Sequence, residues 1–510
     1  MSQSEHLETI RNVIGGKWES SRTTEFLDVE NPATGSILAR TPLSTAEEAH
    51  DAVAAAAEAY DQWRFEPATA RVRPLFRLAA LIRDHEAQIA RLITLENGKS
   101  LTDALAEVKR TCENVETACG MPVLQQGRRL TLASHGIDGE VMLLPRGVYA
   151  IIPPFNFPAM VPFWFLPYAI ATGNTIVVKP SEQVPLTMQF LAGLIEKSGL
   201  PAGVFNLVNG DHRVGSVFTS HPRVVGVSMV GSTRTAGIVA QDCVKHGKRF
   251  QAMGGAKNHL VVMPDARVDQ VVRNMVTSCY GCAGQRCMAS SAIVAVGERM
   301  YRKICDAFVE ASRRIKVANP LDPEVANDPM VMGPVISAQA RRRILEVVEK
   351  GVAEGATLAL DGRNLHVPGC EKGHFIGPVV FTDVRPGMTI HKTEIFGPVV
   401  VILKAETLDQ AIGIINAHRY GNGASIYTQN GFWSRKFKME AEAGMIGINV
   451  GIPAPVAALP FGGMRDSFLS ETKAQGTSVI RFFTEEKVVT ERYWPEQDPF
   501  GTGSLRNITS

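Results

Sequence analysis

Val148-Tyr-Ala-Ile-Ile152 and Thr175-Ile-Val-Val-Lys179 are short apolar runs separated by a longer segment of helical character. Two similar runs follow at Val204-Phe-Asn-Leu-Val208 and at residues 224–230. Short strands rich in β-branched residues, alternating with helices of this length, are typical of βαβ units on a parallel sheet. The sequence therefore predicts an α/β fold.

A second series of such runs predicts a second α/β domain. Its strands are expected at residues 258–263, 291–296, 397–403, 424–427 and 446–450. A Gly-rich strand end passes into this series between Gly254 and Asp265, so we place the domain boundary there. Residues 481–490 are predicted to form a late strand outside both sheets, and such strands often pair with a neighbouring subunit.

Length and composition limit the classes of protein that fit. With 510 residues, 45% hydrophobic and 20% charged, the chain is too long for one core and has the balance of a soluble globular protein. A net charge of +2 without a dense Lys/Arg run argues against a nucleic-acid partner. Eight sparse cysteines and a start without a charged-then-apolar signal peptide predict a reducing, cytoplasmic location.

One segment, residues 148–171, is apolar enough to resemble a membrane span. Five prolines and the polar Asn156 interrupt it, and they would leave backbone groups unsatisfied in lipid. We interpret this segment as buried protein interior and expect no membrane association.

Cys287 is the candidate nucleophile. It follows Arg286 directly, and a neighbouring fixed cation favours the thiolate form that attacks carbonyl carbons, so a thiolate reactive at neutral pH is expected. A lone cysteine is more often a small buried hydrophobe. Cys279-Tyr-Gly-Cys282 also has CxxC spacing, but no second pair completes a metal site.

Asn156 lies between prolines in Pro153-Pro-Phe-Asn-Phe-Pro158, after an apolar strand. Prolines restrict the backbone, and a rigidly held amide donor is what a developing oxyanion requires. A Pro-rich turn in which Asn bonds its own backbone is the alternative.

Three further segments could bind a ligand. Gly231-Ser232-Thr233 follows a strand and opens a helix, where backbone donors could face a pyrophosphate, although any capped turn would look similar. Lys179 and Glu182 end another strand and offer a cation and a carboxylate for a ribose diol, or form a solvated turn. Residues 394–398 add a carboxylate and an aromatic ring and are equally ambiguous alone.

These segments occur in the order and spacing of the aldehyde dehydrogenase superfamily, which the chain resembles from about residue 13 to residue 492. The resemblance implies two Rossmann-like α/β domains, one NAD-binding and one catalytic, plus a small β oligomerisation element. It places the NAD-binding domain at residues 1–133 and 153–257, the catalytic domain at 258–460, and the oligomerisation strands and tail at 134–152 and 461–510. It also implies a homotetramer.

The resemblance implies oxidation of an aldehyde by NAD through a thioester. Cys287 would be the nucleophile, and Asn156 and the Cys287 backbone amide would form the oxyanion hole. The residues implied to contact NAD are Phe155, Lys179, Glu182, Gly231, Ser232, Glu394 and Phe396, with Lys179 and Glu182 on the adenosine ribose and Glu394 on the nicotinamide ribose.

Within the superfamily the chain is most similar to the CoA-acylating methylmalonate-semialdehyde dehydrogenase branch. In that branch two arginines bind the substrate carboxylate, and Arg110 and Arg286 match their positions; two guanidinium forks suit a carboxylate. The chain departs from the branch at Ala236, where a second Gly is usual, and at residues 461–466.

Met253 stands where hydrolytic members carry the Glu that deprotonates water. A thioether cannot act as a base, and the neutral amide of Gln251 cannot replace it. The branch and this position together predict malonate or methylmalonate semialdehyde as substrate and CoA as acyl acceptor, giving acetyl-CoA or propionyl-CoA and carbon dioxide. One alternative is a hydrolytic relative acting on another acid-bearing aldehyde, a semialdehyde or a sulfonate; another is a non-catalytic relative.

Overall fold

The computed structural model describes residues 8–326 and 328–492. Its strands are β1 (Glu8–Thr9), β2 (Asn12–Ile14), β3 (Lys17–Glu19), β4 (Phe26–Glu30), β5 (Ile37–Pro42), β6 (Arg128–Ser134), β7 (Ile137–Pro145), β8 (Val148–Ile152), β9 (Thr175–Val178), β10 (Phe205–Leu207), β11 (Val224–Val230), β12 (Arg249–Met253), β13 (His259–Val262), β14 (Ala292–Val296), β15 (Thr357–Leu360), β16 (Val379–Thr382), β17 (Val399–Ala405), β18 (Tyr420–Gly421), β19 (Gly423–Tyr427), β20 (Met445–Ile448), β21 (Met464–Arg465) and β22 (Thr484–Arg492).

The helices alternate with these strands. They are α1 (Ala46–Trp63), α2 (Ala68–Arg71), α3 (Arg73–Asp84), α4 (Glu86–Asn97), α5 (Leu101–Cys119), α6 (Met121–Leu124), α7 (Met160–Phe163), α8 (Leu166–Ala171), α9 (Pro185–Lys197), α10 (His212–Ser220), α11 (Thr233–Lys245), α12 (Val268–Tyr280), α13 (Glu298–Arg313), α14 (Ala338–Ala353), α15 (Thr389–Lys392), α16 (Leu408–Asn416), α17 (Gly431–Glu440) and α18 (Ser478–Phe483), with a 3-10 turn at Gly281–Gly284.

Two seven-stranded sheets confirm the predicted pair of α/β units. The first has the order β12-β11-β8-β9-β10-β2-β3, and its first five strands are parallel. The second has the order β15-β16-β17-β14-β13-β19-β20, and only β15 is antiparallel. The chain leaves the first sheet at β12 and enters the second at β13, inside the predicted boundary.

Strand β8 shows why the first sheet is buried on both faces. Tyr149 and Ile151 belong to one apolar cluster, whereas Val148 and Ala150 belong to another on the opposite face. Side chains alternate along a strand, so a continuous apolar run is needed when helices cover both faces. The apolar segment after β8 is likewise buried, as predicted.

A separate three-stranded sheet has the order β22-β7-β6. The late strand predicted at residues 481–490 is thus confirmed outside both large sheets, although residues 481–483 end α18. Within the described residues, no helix is both long and apolar enough to cross a membrane.

Three predicted boundaries were wrong in detail. Strand β8 was grouped with the oligomerisation strands, but it pairs with β9 and β11 inside the first sheet because its apolar residues need cover on both faces. Strand β6 was placed with the NAD-binding residues and instead pairs with β7. Strand β21 pairs with β18, away from β22. Residues 493–510 of the predicted tail lie outside the described residues.

Candidate active site

The candidate site lies where the strand order of the first sheet reverses. The chain runs from β8 to β9 and β10 on one side and then returns to β11 on the other. Loops after neighbouring strands diverge at such a point and leave a crevice at the carboxyl ends. Asn156 follows β8, Lys179 follows β9 and Gly231 follows β11, so the structure brings these three predicted positions to one sheet edge.

The second sheet faces this crevice with the amino ends of its strands. Cys287 precedes β14, and the amide Nδ2 of Asn156 lies 3.8 Å from its Sγ. The carbonyl oxygen of Cys287 accepts hydrogen bonds from Asn258 Nδ2 at 2.8 Å and Asn422 Nδ2 at 3.0 Å. Asn258 directly precedes β13, and Asn422 directly precedes β19. The strands β14, β13 and β19 are consecutive in the sheet. The amino ends of three adjacent strands therefore fix the backbone of Cys287.

The turn before Cys287 is conformationally unusual. Cys282, Ala283 and Gly284 have φ values of 53°, 52° and 71°. The left-handed region costs a non-glycine residue about 1–2 kcal/mol, so the surrounding contacts must hold Cys282 and Ala283 there. Gly284 has no alternative, since a Cβ would lie 2.2 Å from the carbonyl oxygen of Gly397.

The surroundings of Cys287 favour its thiol form over the thiolate. Burial raises its pKa to about 11, the charge of Glu394 adds to this, and Asn156 and Arg286 oppose it only in part. Arg286, the neighbour expected to favour the thiolate, lowers this pKa less than burial raises it. Its guanidinium donates to Asp103 Oδ1 at 2.8 Å and to Cys282 Sγ at 3.4 Å.

Asn156 is held by a buried ion pair. Lys99 Nζ donates to the carbonyl oxygen of Asn156 and to Glu107 Oε2, both at 2.6 Å, and neither charged side chain is exposed. Asn156 Nδ2 donates to the carbonyl oxygen of Gln285 at 2.9 Å, whereas its Oδ1 is buried without a partner. The amide is therefore an oriented donor, and the alternative of an Asn bonding its own backbone is wrong.

A cavity of about 300 Å³ opens beside Cys287. One face of α5 lines it, because residues three and four apart share a side of a helix. This face carries Asp103, Ala106, Glu107, Arg110 and Asn114. Arg286 and Trp164 also line the cavity, so both arginines predicted to bind a carboxylate reach the same space as the nucleophile.

The two arginines already have acidic partners. Arg110 Nη1 lies 2.6 Å from Glu113 Oε2, and Arg286 Nη2 lies 2.8 Å from Asp103 Oδ1. Arg286 Nε is buried without a hydrogen-bond partner. Phe461, from the segment that departs from the CoA-acylating branch, stacks on Trp164 and forms part of the cavity wall.

The position that an acid would occupy for hydrolysis holds Met253, which is only 3% exposed. The neighbouring Gln251 is fully engaged: its amide nitrogen donates to Thr472 and Lys473, and its oxygen accepts from Ser228. Neither side chain can act as a base toward Cys287.

Glu394 lies against the same strand end. Its Oε1 accepts from the Ala256 amide at 2.9 Å, and a Cβ at Gly255 would lie 2.3 Å from its Oε2. The glycine therefore leaves room for this carboxyl. Burial raises the pKa of Glu394 to about 7 and lowers the pKa of the nearby Lys257 to about 7.

The remaining predicted cofactor contacts fit a dinucleotide to different degrees. The Glu182 side chain is 36% exposed and can meet a ribose, whereas Lys179 is 7% exposed and its Nζ already donates to Glu182 and to the carbonyl oxygens of Pro180 and Gly210. Ser232 caps α11, one turn of which faces the crevice. The Gly231 amide donates to Met253 at 3.0 Å, so its own N–H is not available to a pyrophosphate.

Two aromatic rings and one departure complete the crevice. The rings of Phe155 and Phe396 meet edge to face at 5.8 Å, and Phe396 has a φ of 55°. Ala236 is fully buried in the core beneath α11, so its methyl group packs inward. Sequence reasoning missed Lys99, Asn258 and Asn422. Asn258 lies in the motif around Met253, but the others carry no local signal.

A cysteine held between two parallel-sheet units, with a crevice at the strand ends on one side and a small cavity on the other, is an arrangement that suits an enzyme with a cysteine nucleophile. The comparison with protein families agrees. The model of the aldehyde dehydrogenase family matches residues 18–489, and the chain belongs to this family.

The chain is also similar to individual members of this family that are named for semialdehyde oxidation. The chain is 45% identical to malonate-semialdehyde dehydrogenase 2 of Geobacillus thermodenitrificans over 485 residues, covering 95% of this chain and 99% of the relative. It superimposes on methylmalonate-semialdehyde dehydrogenase of Oceanimonas doudoroffii with a TM-score of 0.93 and 40% identity, covering 96% and 99% of the two chains. A Sinorhizobium meliloti structure complexed with NAD gives a TM-score of 0.94 at 37% identity and covers 97% and 99%.

Proposed function

We propose that this chain is a CoA-acylating, NAD-dependent dehydrogenase of malonate or methylmalonate semialdehyde. Its similar relatives carry the names of these two activities. The assignment of CoA as the acyl acceptor rests on Met253, which is buried at the position where hydrolytic relatives need an acid. Water must be deprotonated to attack a thioester, whereas a thiol has a pKa closer to neutral and needs less activation.

The chain's own residues would perform three tasks. Cys287 gives its thiol proton to solvent as Sγ attacks the aldehyde carbon, and the carbonyl oxygen gains negative charge next to Asn156 Nδ2 and the Cys287 amide, which act as oxyanion donors. Arg110 and Arg286 hold the distant carboxylate in the cavity, which fixes the aldehyde carbon near the sulfur.

NAD, when bound, supplies the acceptor for the hydride lost from that carbon. We assign its binding to Phe155, Lys179, Glu182, Gly231, Ser232, Glu394 and Phe396, with Gly231 contributing shape and not its amide. The Glu182 carboxylate favours a free 2′-hydroxyl over a 2′-phosphate, and therefore NAD over NADP.

The acyl group then remains on Cys287 as a thioester until a CoA thiol attacks its carbonyl carbon and Cys287 leaves. Loss of the β-carboxylate as carbon dioxide gives acetyl-CoA or propionyl-CoA. The test measures NADH formation from each semialdehyde with and without CoA, followed by mass analysis of the products. We expect sustained turnover and acyl-CoA only when CoA is present. Rapid release of free acid without CoA would overturn the assignment.

A second candidate is hydrolysis of another acid-bearing aldehyde, with water as the acceptor. Glu394 favours it, because a buried carboxyl with a pKa of about 7 whose charge acts on Cys287 could accept a proton from water. A panel of semialdehyde and sulfonate substrates in the same assay separates the two candidates.

We also propose a homotetramer in the cytoplasm. Leu130, Leu132 and Val488 are 65–71% exposed on the sheet β22-β7-β6, and a partner subunit would cover this apolar surface. All eight cysteines are free, which suits a reducing compartment. Light scattering after size exclusion tests the assembly, and a mass of one chain would contradict it.

A further inference from the structure

Asp103 lies at the start of α5, where it contacts both the predicted carboxylate-binding site and the turn before the nucleophile. Its Oδ1 accepts from Arg286 Nη2 at 2.8 Å, and its Oδ2 accepts from the Cys282 amide at 3.0 Å. The Asp103 and Arg286 side chains are 22% and 16% exposed and line the same cavity as Cys287.

The contact with Cys282 restrains a strained backbone. Cys282 is the first of three consecutive residues with positive φ, and its N–H points at the Asp103 carboxylate. A charged acceptor makes this bond stronger than a neutral one would. The bond therefore holds the first residue of the turn that delivers Cys287.

The contact with Arg286 limits where the guanidinium can point. A Cβ at Gly281 would lie 3.0 Å from the guanidinium carbon, so the group lies flat against this glycine. With Nη2 occupied by Asp103, Nε remains buried and unpartnered. An unpartnered N–H on a held guanidinium beside the nucleophile is suited to donate a hydrogen bond to one more anionic oxygen.

We propose that Asp103 is a positioning residue, which sets the direction of Arg286 toward the substrate carboxylate and restrains the turn that presents Cys287. This role rests on the proposed function for its substrate, because Arg286 must bind a carboxylate. It is not a catalytic role, since Asp103 acts through Arg286 and Cys282.

Two substitutions separate the two contacts. Asp103→Asn keeps one acceptor oxygen, which the immobile Cys282 amide will take because the Arg286 side chain can swing away. Asp103→Ala removes both contacts. Glu116→Gln is the matched control, because Glu116 lies on the same helix and pairs with the exposed Arg83 outside the cavity.

The experiment measures the pre-steady-state NADH burst without CoA, using malonate semialdehyde and the uncharged aldehyde propanal. With Asp103→Asn we expect the ratio of apparent KM for semialdehyde to that for propanal to rise about tenfold, as for loss of one charge-assisted contact. In an Arg286→Leu background the same change should alter the ratio less than about twofold, because coupled residues are not additive.

The turn is tested with propanal alone. We expect Asp103→Ala to slow the burst about tenfold or more while Asp103→Asn stays within about threefold, since only the former frees the Cys282 amide. Equal slowing by both variants, or an unchanged KM ratio with Asp103→Asn, overturns the proposal. Failure of the proposed carboxylate site is distinguishable, because Arg286→Leu by itself would then leave the ratio unchanged.

Discussion

The cavity on one side of Cys287 and the proposed cofactor crevice on the other differ in whether their buried charged groups form ion pairs. On the cavity side every acid is paired with a cation, as Asp103 with Arg286, Glu107 with Lys99 and Glu113 with Arg110. On the cofactor side Glu394 is bonded to a backbone amide and Lys257 to a backbone carbonyl, and burial moves both pKa values to about 7. The cavity therefore keeps its charges in ion pairs, whereas burial partly neutralises Glu394 and Lys257, the two charged groups near Cys287 on the other side.

In the proposed function, this difference would let Cys287 be acylated on a charged substrate while little on the other side activates water. Ion pairs survive burial when both partners are hydrogen-bonded, and they can be exchanged for a substrate carboxylate. The apolar thioether of Met253 gives a water molecule no base at that position. Substitutions made on one side of Cys287 at a time test the role of that side separately.

The largest loss of activity is expected when Cys287 Sγ, which borders both the cavity and the crevice, is removed. Cys287→Ala removes the nucleophile, and NADH formation should fall by about 10⁴-fold or more because no thioester can form. The burst of NADH measures this directly. Substantial turnover by the variant would remove the covalent mechanism from both sides at once.

Placing an acid at position 253 should allow water to hydrolyse the thioester. Met253→Glu restores a carboxylate next to the thioester, and CoA-independent release of free acid should rise about 100-fold, the lower range of general-base catalysis. Met253→Gln is the neutral control of similar size. Equal acid release by the two variants would show that the residue at 253 does not determine the acceptor.

Removing a cation on the cavity side should affect only charged substrates. Arg110→Leu should lower kcat/KM for malonate semialdehyde about 30-fold, the value of a charge-assisted hydrogen bond of about 2 kcal/mol. Propanal serves as the internal control and should be nearly unaffected. A similar loss for both aldehydes would mean that Arg110 shapes the cavity without binding a carboxylate.

The charge of Glu394 links the cofactor side to Cys287. Since this charge raises the pKa of the thiol, Glu394→Gln should lower the pKa of Cys287 from about 11 and speed its alkylation by iodoacetamide at pH 8 about fivefold. The pH profile of alkylation gives the pKa directly. An unchanged profile would show that burial alone controls the thiol.

The smallest effect concerns stability. The folded-state pKa of Glu394 is raised to about 7 from an ordinary value of 4.5, so the native state retains a proton that the unfolded state releases. Stability should therefore fall as the pH rises from about 4.5 to 7 and level off above, by linkage. Glu394→Gln should reduce the Tm difference between pH 5 and pH 8 by about 2 °C in thermal melts. An equal difference in both proteins would contradict the shifted pKa.

Strand positions were predictable because they depend on local pattern. The runs at β8, β9 and β11 are apolar without interruption, and only strands covered on both faces need that pattern. Sheet membership was not predictable in the same way. The apolar pattern of β8 predicted a parallel sheet, whereas the family resemblance grouped it with the oligomerisation strands, and its pairing with β9 and β11 places it in the first sheet.

Within the site, Cys287 and Asn156 carried recognisable motifs, and the structure places them 3.8 Å apart. The ionisation of Cys287 could not be predicted from its neighbour Arg286, because burial raises the pKa of the thiol more than the guanidinium lowers it. The guanidinium also bonds Asp103, a residue 183 positions away. Sequence adjacency gives a charge its position along the chain, whereas a pKa depends on distance and burial in space.

The sequence alone determined the fold class, the candidate nucleophile and the presence of a thioether at Met253, because each depends on residue type within a short pattern. The tertiary structure decided which charges are paired, which amides hold Cys287 and which wall of the cavity carries the arginines. These properties arise where α5, the turn at residues 281–284 and the amino ends of β13, β14 and β19 meet. No local pattern encodes such a meeting, because its energy comes from burial and hydrogen bonds between segments far apart in the chain.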